Sequence, residues 1–380
     1  MDFEFSDEMK MLRETAGDFA KNEFEPVAQD LDREEKYPKD VWKKASGLGL
    51  IGAWIPEEYG GSGVGFLGNA IITEEFSRVD LGMSLIIAGT FGCEAIYWAG
   101  TEEQKKKYLP LVSQGEAISA GAFTEPDAGT DVAGARTRAV KDGDEYVING
   151  NKMFITNGDV CDFMVTLCVT NPDAEKRYKK HSLIIVESDR PGVTATKIHG
   201  KMGIRASDTA EISFEDVRVP VSNLVGDVEG QGFYQAMQFF DTTRIMVSAQ
   251  GVGLAQGALD KAIQYVKERK AFGVPIASFQ ITQQKIAEMA IRVEATRNLV
   301  YKSAWYLDNH KVDPILNSIT KYYAGETAVF CANYAVELHG GYGYIDEYDV
   351  QRFYRDAKIL QLYEGTKEAE VLTIARRLLA

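Results

Sequence analysis

The sequence predicts an α+β protein in three parts: an N-terminal all-α domain at residues 1–115, a middle β domain at 116–225, and a C-terminal four-helix bundle at 226–380. Three observations carry this. Apolar residues recur at helical spacing to about Gly115, period-2 alternation with turn dipeptides follows to about Val225, and the helical period then returns and holds. The length of 380 residues leaves room for two or three units with their own cores. A chain that is 45% hydrophobic and 26% charged is ordinary for a globular protein, so each helix should bury one face.

The elements follow in order. Ser6, with Asp7 and Glu8 behind it, reads as an N-cap with acids in the first turn, where the helix dipole favours them; Met9, Leu12, Ala16 and Phe19 continue one stripe. "PEEYGGSGVGF" (56–66) is a Gly-rich loop, and Thr101 opens the helix "TEEQKKKYLPLV". Asp142-Gly143 and Asn149-Gly150 are hairpin signals bounding short β-rich runs. "HSLIIVES" (181–188) and "AEISFEDVRVP" (210–220) extend a β domain of sandwich or barrel kind. Leu259, Ile263 and Val266 share a helix stripe, and "QITQQKIAEMAIRVEATRNLVYKSAWYL" is one long amphipathic helix. "GVGLAQG" (251–257) looks like a dinucleotide fingerprint, but its spacing is wrong and no strand precedes it, so close helix packing is the better reading.

Charge and composition exclude several classes. A net charge of −14 argues against nucleic acid and anionic membrane surfaces as partners. The N-terminus "MDFEFSDEMKML" is acidic and lacks the apolar run of a secretory leader. The most apolar stretch, "LGMSLIIAGTFG" (81–92), falls short of the roughly 20 residues of a membrane span. Cys93, Cys161, Cys168 and Cys331 form no C-x-x-C pair and fit reduced thiols in a cytoplasmic setting. His181, His199, His310 and His339 lie far apart, so no metal site is expected.

Several stretches carry chemistry-bearing residues. "FTEPDAGTDVAG" (123–134) clusters Thr124, Thr130 and Asp131 where helices give way to strands; such a loop can present donors to a polar ligand, or be a plain turn. In "KMFITNG" (152–158), Phe154 and Thr156 fall on one strand face, an arrangement that can flank a ring ligand or belong to an ordinary strand. "FDTTRIMVSAQ" puts Asp241 and Arg244 on one helix face, as a local ion pair or at the edge of something buried. "ERKAFG" (268–273) and "ELHGGYGY" (337–344) each read alone as a helix end. "QLYEGTKEAE" (361–370) places Glu364 at a Gly-broken junction between two helices, as a solvated loop acid or a carboxylate aimed into a site.

Taken together and in order, "IPEEYGGSG", "FTEPDAGTDV", "FITNG", "MGIRASDT", "FEDVRVP", "ERKAFG", "ELHGGYGY", "RDAKILQLYEGT" and the terminal "IAR" resemble the acyl-CoA dehydrogenase family over nearly the whole chain. The resemblance implies FAD held between the β domain and the bundle, usually in a homotetramer, with electron-transferring flavoprotein as electron acceptor. Glu364 matches the catalytic base, and its backbone N–H and a flavin hydroxyl would bind the thioester oxygen. Phe123, Thr124, Phe154 and Thr156 match contacts of the flavin ring, Thr156 near N5. Thr130 matches a position shared by the cofactor and the CoA passage, which Ser207 also lines. Asp241, Thr243, Arg244 and Gly365 match substrate contacts. Arg269, Phe272, Gln280 and the turn from Glu337 through Gly340 to Gly341 match residues that hold the adenine dinucleotide end from a neighbouring subunit. Thr366 and Glu368 match further FAD contacts.

Some relatives carry the base just before the Arg of "FDTTR"; here that residue is Thr243, so Glu364 stands alone. Its presence argues against branches that lack this acid and eliminate across a conjugated system. Phe154 and Glu337 stand where many relatives have Trp and Gln. Ile87, Ala88, Gly89, Thr90 and Phe91 offer no charge to a distal carboxylate, and Phe91 with Leu360 implies an apolar pocket closed by bulk. A short, branched or alicyclic acyl group, such as cyclohexanecarboxyl, is the expected substrate. The alternatives are an oxidase that uses oxygen, whose usual extra C-terminal domain is missing, and a non-enzymatic flavin or CoA binding protein.

Overall fold

Ser6 accepts from the Met9 N–H at 3.3 Å and starts α1 (Asp7–Phe19), which buries Ala16 and Phe19 as the stripe requires. The structure, a computed structural model, describes residues 4–379; the outermost residues of the first and last expected domains, 1–3 and 380, lie outside the described residues. The helices α2 (Ala28–Glu34), α3 (Lys39–Gly47), α4 (Gly65–Ser77), α5 (Leu81–Ala88), α6 (Cys93–Ala99) and α7 (Glu102–Ser113) complete the first part. Thr101 and Gln104 close a reciprocal capping box on α7. The apolar run continues past Gly92, and Leu81–Ala99 is long and apolar enough to cross a membrane by composition alone. The chain breaks it into α5 and α6 and buries most of it, so it serves as core.

The middle part holds β1 (Ser119–Ala122), β2 (Arg138–Asp142), β3 (Glu145–Thr156), β4 (Phe163–Val169), β5 (His181–Glu187), β6 (Val193–Lys197) and β7 (Thr209–Pro220). They form a seven-stranded sheet in the order β1-β4-β2-β3-β7-β6, with β5 also paired to β4. Its own apolar core includes Ile148, Met164, Ile184, Ile212 and Phe214. Asp142-Gly143 makes the expected hairpin, with Gly143 at φ 62. Asn149-Gly150 does not. β3 runs through it, and the register against β7 shifts between Ile148 and Gly150. Gly150, at φ 147, lies at a β-bulge where an added Cβ would sit 2.7 Å from Thr137 Cα.

The C-terminal part holds α8 (Gly232–Glu268), a short hairpin of β8 (Lys270–Ala271) and β9 (Val274–Pro275), then α9 (Gln280–Asp308), α10 (Pro314–His339), α11 (Val350–Ala357) and α12 (Lys367–Leu379). The glycines of "GVGLAQG" lie inside α8 at backbone contacts: a Cβ at Gly253 would stand 2.2 Å from Glu74 O, and at Gly257 2.1 Å from Arg78 O. "ERKAFG" is not a plain helix end; it turns at Phe272 and Gly273 into the β8–β9 hairpin.

α11 ties the three parts together. Its buried Arg352 ion-pairs with Asp80, the N-cap of α5. Asp356 accepts from the Ile204 N–H of the β domain at 2.6 Å. A Cβ at Gly203 would stand 2.6 Å from the Arg355 backbone, so the "MGIRASDT" loop lies flush on α11. The turn that follows α11 is thereby anchored to every layer.

Candidate active site

Glu364 lies in the turn between the 3-10 segment Lys358–Gln361 and α12. Its φ of 53 puts a non-glycine residue in the left-handed region, which costs roughly 1–2 kcal/mol unless the surroundings hold it there. Three contacts do. Arg244 Nε of α8 donates to Glu364 O at 3.0 Å, and Lys321 Nζ of α10 donates to Gly365 O. Thr366 then caps α12, its hydroxyl accepting from the Ala369 N–H at 3.3 Å. Gly365, at φ 101, could carry no side chain, because a Cβ there would meet Glu370 Oε1 at 2.1 Å. The Glu364 and Gly365 N–H groups donate to no protein acceptor among the described residues.

The carboxyl of Glu364 accepts from Thr243 Oγ1 at 2.5 Å. Burial pushes its pKa up; the Glu370 charge adds to that, against the Thr243 hydroxyl and the Arg244 and Lys321 charges. Around it stands a dense group of charges. Arg244 pairs with Asp241 Oδ1 at 3.2 Å and with Glu370 Oε1 at 3.1 Å. Lys321 is 1% exposed and Glu370 fully buried. Burial brings Lys321 down to about 8 despite the Glu370 and Glu364 charges nearby. Sequence reasoning missed Lys321 and Glu370. The available signal was a lone Lys within the buried-type run "LNSITKYYAG" and an acid three residues after Lys367.

Asp241, Thr243, Arg244, Glu364, Gly365 and Thr366 therefore come together, with Glu368 exposed one turn further on. "FTEPDAGTDV" gathers a second group. Phe123 packs on Phe239 and Phe240 of α8, with ring centroids 4.8 and 5.3 Å away. Fully buried Lys152 of β3 donates to Phe123 O, Leu167 O and Glu125 Oε1. Met153 N donates to Thr124 O at 2.9 Å, fastening the loop along β3. Burial alone would raise Glu125, but the Lys152 charge and hydrogen bonds hold it below the usual carboxylate range. A bulge between Lys152 and Ile155 leaves Phe154, at φ 60, and Thr156 flanking buried Ile155; Phe154 is 66% exposed. Thr130 is exposed on the same loop, beside the Asp131–Arg177 ion pair. Ser207 is buried, and its hydroxyl donates to Ile204 O at 2.7 Å.

A third group forms a cavity of about 460 Å³ lined by Arg269, Glu337, Gly340, Gly341, Tyr342 and Tyr265 among others. The Arg269 guanidinium lies 5.6 Å from the Tyr342 ring centre. Nothing stands within 4 Å of where a Cβ on Gly340 or Gly341 would be. Glu337 accepts from Lys285 and from Asn333 Nδ2. Phe272, 96% exposed, and Gln280 lie on neighbouring segments and are absent from the lining. These residues fit FAD. A cation beside open glycine backbone suits a diphosphate, and the uncovered rings of Phe154 and Phe272 are poorly solvated faces that a flat ligand would cover.

Family descriptions match the chain in three consecutive blocks: acyl-CoA dehydrogenase, N-terminal domain over residues 6–116, middle domain over 120–217, and C-terminal domain over 230–379. The chain is 44% identical to the acryloyl-CoA reductase (NADH) of Anaerotignum propionicum, over all of this chain and 96% of that one. Among solved structures it is similar to the butyryl-CoA dehydrogenase of Megasphaera elsdenii, with a TM-score of 0.96, 38% identity and complete coverage of both chains. It is also similar to a chain solved in work on the electron transferring flavoprotein of Acidaminococcus fermentans, with a TM-score of 0.97, 39% identity and complete coverage of both. With three domain blocks in order and relatives matched end to end, the chain belongs to the acyl-CoA dehydrogenase family, whose members use FAD.

Proposed function

We propose that the protein dehydrogenates a short, branched or alicyclic acyl-CoA, such as cyclohexanecarboxyl-CoA, to the 2-enoyl-CoA, with Glu364 as the base. The observation that carries this is the Glu364 turn, strained, gripped by two cations through its carbonyls, and presenting a carboxyl with one hydroxyl donor. A thioester α-proton is weakly acidic, so a carboxylate whose pKa is raised by burial is the better base. The Glu364 N–H, without a protein acceptor, is free to bind the thioester oxygen where negative charge builds as the α-proton leaves. When bound, FAD supplies the acceptor for the β-hydrogen. Phe123, Thr124, Phe154 and Thr156 would hold its ring, and Arg269, Phe272, Gln280, Glu337, Gly340 and Gly341 its adenine dinucleotide end. Thr130, Ser207, Thr366 and Glu368 would complete the contacts to cofactor and CoA.

The exposed ring of Phe272 beside Arg269 favours a site completed by a second copy, in a homotetramer. Electron-transferring flavoprotein is the proposed acceptor, in keeping with the Acidaminococcus work that contains a chain of this fold. Buried Ile87, Phe91 and Leu360 favour a compact acyl group. The likeness to an acryloyl-CoA reductase favours a second reading, use in the reverse direction, in which protonated Glu364 returns the proton to the α-carbon.

A Glu364→Gln variant tests the base. It should bind acyl-CoA and keep its flavin, while the rate of flavin reduction falls roughly a thousandfold. Full activity would remove Glu364 from the role. Anaerobic flavin bleaching by butyryl-, octanoyl-, isobutyryl- and cyclohexanecarboxyl-CoA, with ferrocenium and with oxygen as acceptors, tests the rest. A preference for octanoyl-CoA defeats the compact pocket, and fast turnover with oxygen defeats the dehydrogenase in favour of an oxidase.

A further inference from the structure

The sequence reading expects an apolar wall at the far end of the acyl site, and the structure buries an acid, Glu94, next along that stretch. Glu94 opens α6 and is only 4% exposed. One turn along, Trp98 donates from Nε1 to Thr242 Oγ1 at 3.0 Å, and the next residue, Thr243, donates to Glu364. The α6 face that carries Glu94 and Trp98 thus meets α8 beside the base. Burial first, with the Glu364 charge adding, pushes the Glu94 carboxyl up to about 8 against the pull of the Thr90 hydroxyl and of the Glu94 and Gly92 backbone N–H groups, which favours the protonated form near neutral pH.

The polar surroundings then say where its proton sits. Trp54 Nε1 donates to Thr90 Oγ1 at 2.9 Å, and Thr90 in turn donates to Glu94 Oε1 at 2.7 Å. Oε1 is therefore an acceptor, so the proton belongs on Oε2. That oxygen has no hydrogen-bond partner among the described residues. A buried O–H left without an acceptor costs about 1–3 kcal/mol, and a ligand oxygen placed against it recovers that. Ile87 and Phe91, buried on the same stretch, are apolar, and the hydroxyl of buried Thr90 between them is already engaged with Trp54 and Glu94.

We propose that Glu94 is a specificity-determining residue that donates a hydrogen bond from Oε2 to a carbonyl oxygen carried on the acyl chain, so that the preferred substrate is a short oxoacyl-CoA rather than a plain acyl-CoA. The inference rests on the reading of Glu364 as the base, since that reading puts the acyl group between the two carboxyls. A distal carboxylate is disfavoured at the same spot, because it would add a third acid beside Glu94 and Glu364.

The test is calorimetric binding to Glu364→Gln holoprotein, in which turnover is blocked, of 4-oxopentanoyl- and 5-oxohexanoyl-CoA against pentanoyl- and hexanoyl-CoA. At least one oxo compound should bind about tenfold tighter than its plain counterpart, the equivalent of one good hydrogen bond. Adding Glu94→Gln, which keeps an N–H donor, should hold the preference to within about threefold, and adding Glu94→Leu should abolish it. Equal binding of oxo and plain chains, an undiminished preference in the Leu variant, or a preference for glutaryl-CoA would each overturn the proposal. Should the Leu protein fail to fold, the Gln variant and the paired ligands still decide it. Failure of the base reading shows separately, as flavin reduction by the Glu364→Gln protein.

Discussion

A Thr243→Val substitution removes the one hydroxyl that donates to the Glu364 carboxyl. No other hydrogen bond reaches that carboxyl among the described residues, since Arg244 and Lys321 donate to the carbonyls of Glu364 and Gly365 instead. Valine keeps the shape, so the change isolates the hydrogen bond. A hydrogen bond to a charged group contributes about 1.5–3 kcal/mol, which at 1.36 kcal/mol per unit is a rise of about 1–2 units in the Glu364 pKa. The sign follows from the ionised form being the one stabilised: its loss makes the carboxyl harder to ionise. Measured as flavin reduction by saturating acyl-CoA in an anaerobic stopped flow, the acid limb of the pH profile should move up by about 1–2 units. Below that limb the rate should fall about 10–100-fold, and on the alkaline plateau it should equal or exceed the wild-type rate, because the stronger base is still in place. An acid limb that stays within about 0.3 unit of wild type, or a plateau that collapses with it, would refute the reasoning.

Three further outcomes follow from particular contacts. Gly365→Ala should destabilise the fold by roughly 2–4 kcal/mol in urea unfolding and cut flavin reduction, because φ 101 and the approach of Glu370 Oε1 leave no room for a methyl; wild-type stability would contradict this. Glu94 has a folded pKa of about 8, above its unfolded value near 4.5, so its contribution to stability is complete below about pH 4.5 and is lost as pH rises through 8. Glu94→Gln should flatten that fall and gain a few kcal/mol relative to wild type between about pH 6 and 9, and parallel melting curves would contradict it. Arg269→Ala should weaken FAD retention about tenfold, read as fluorescence of released flavin, with the secondary structure by circular dichroism unchanged; undiminished retention would take Arg269 out of the cofactor site.

What the sequence revealed and what it hid divide along local and non-local physics. Ser6, Thr101 and the stripes of α8 and α9 were readable because caps and periodicity act within a few residues. Glu364 was readable as a break between two helices because a Tyr-Glu-Gly-Thr string cannot continue either one. Asn149-Gly150 misled because the dipeptide that suits a tight turn also suits a bulge, and pairing with β7 over residues far along the chain decided between them. The β8–β9 hairpin hid in a charged helix end because two residues per strand leave no period to detect. Lys152, Lys321, Glu370 and Glu94 were missed for one shared reason. Each is a polar residue whose role depends on partners 27, 44, 126 and 270 positions away, and only folding brings those partners into reach.

The arrangement of charge explains how Glu364 keeps a raised pKa with two cations beside it. An Arg and a Lys aimed at its carboxylate would make it a weak, permanently ionised base. Here both cations are engaged elsewhere: Arg244 with Glu364 O, Asp241 and Glu370, and Lys321 with Gly365 O. Glu370, fully buried behind the turn, adds negative charge that Arg244 answers. Both cations therefore hold the strained backbone through its carbonyls, and Arg244 is also answered by Asp241 and Glu370. That leaves burial as the largest influence on the Glu364 carboxyl, and the Thr243 hydroxyl as the next. A base set in this way is basic enough, once ionised, to accept a proton from a weak carbon acid, and fixed firmly enough to meet it.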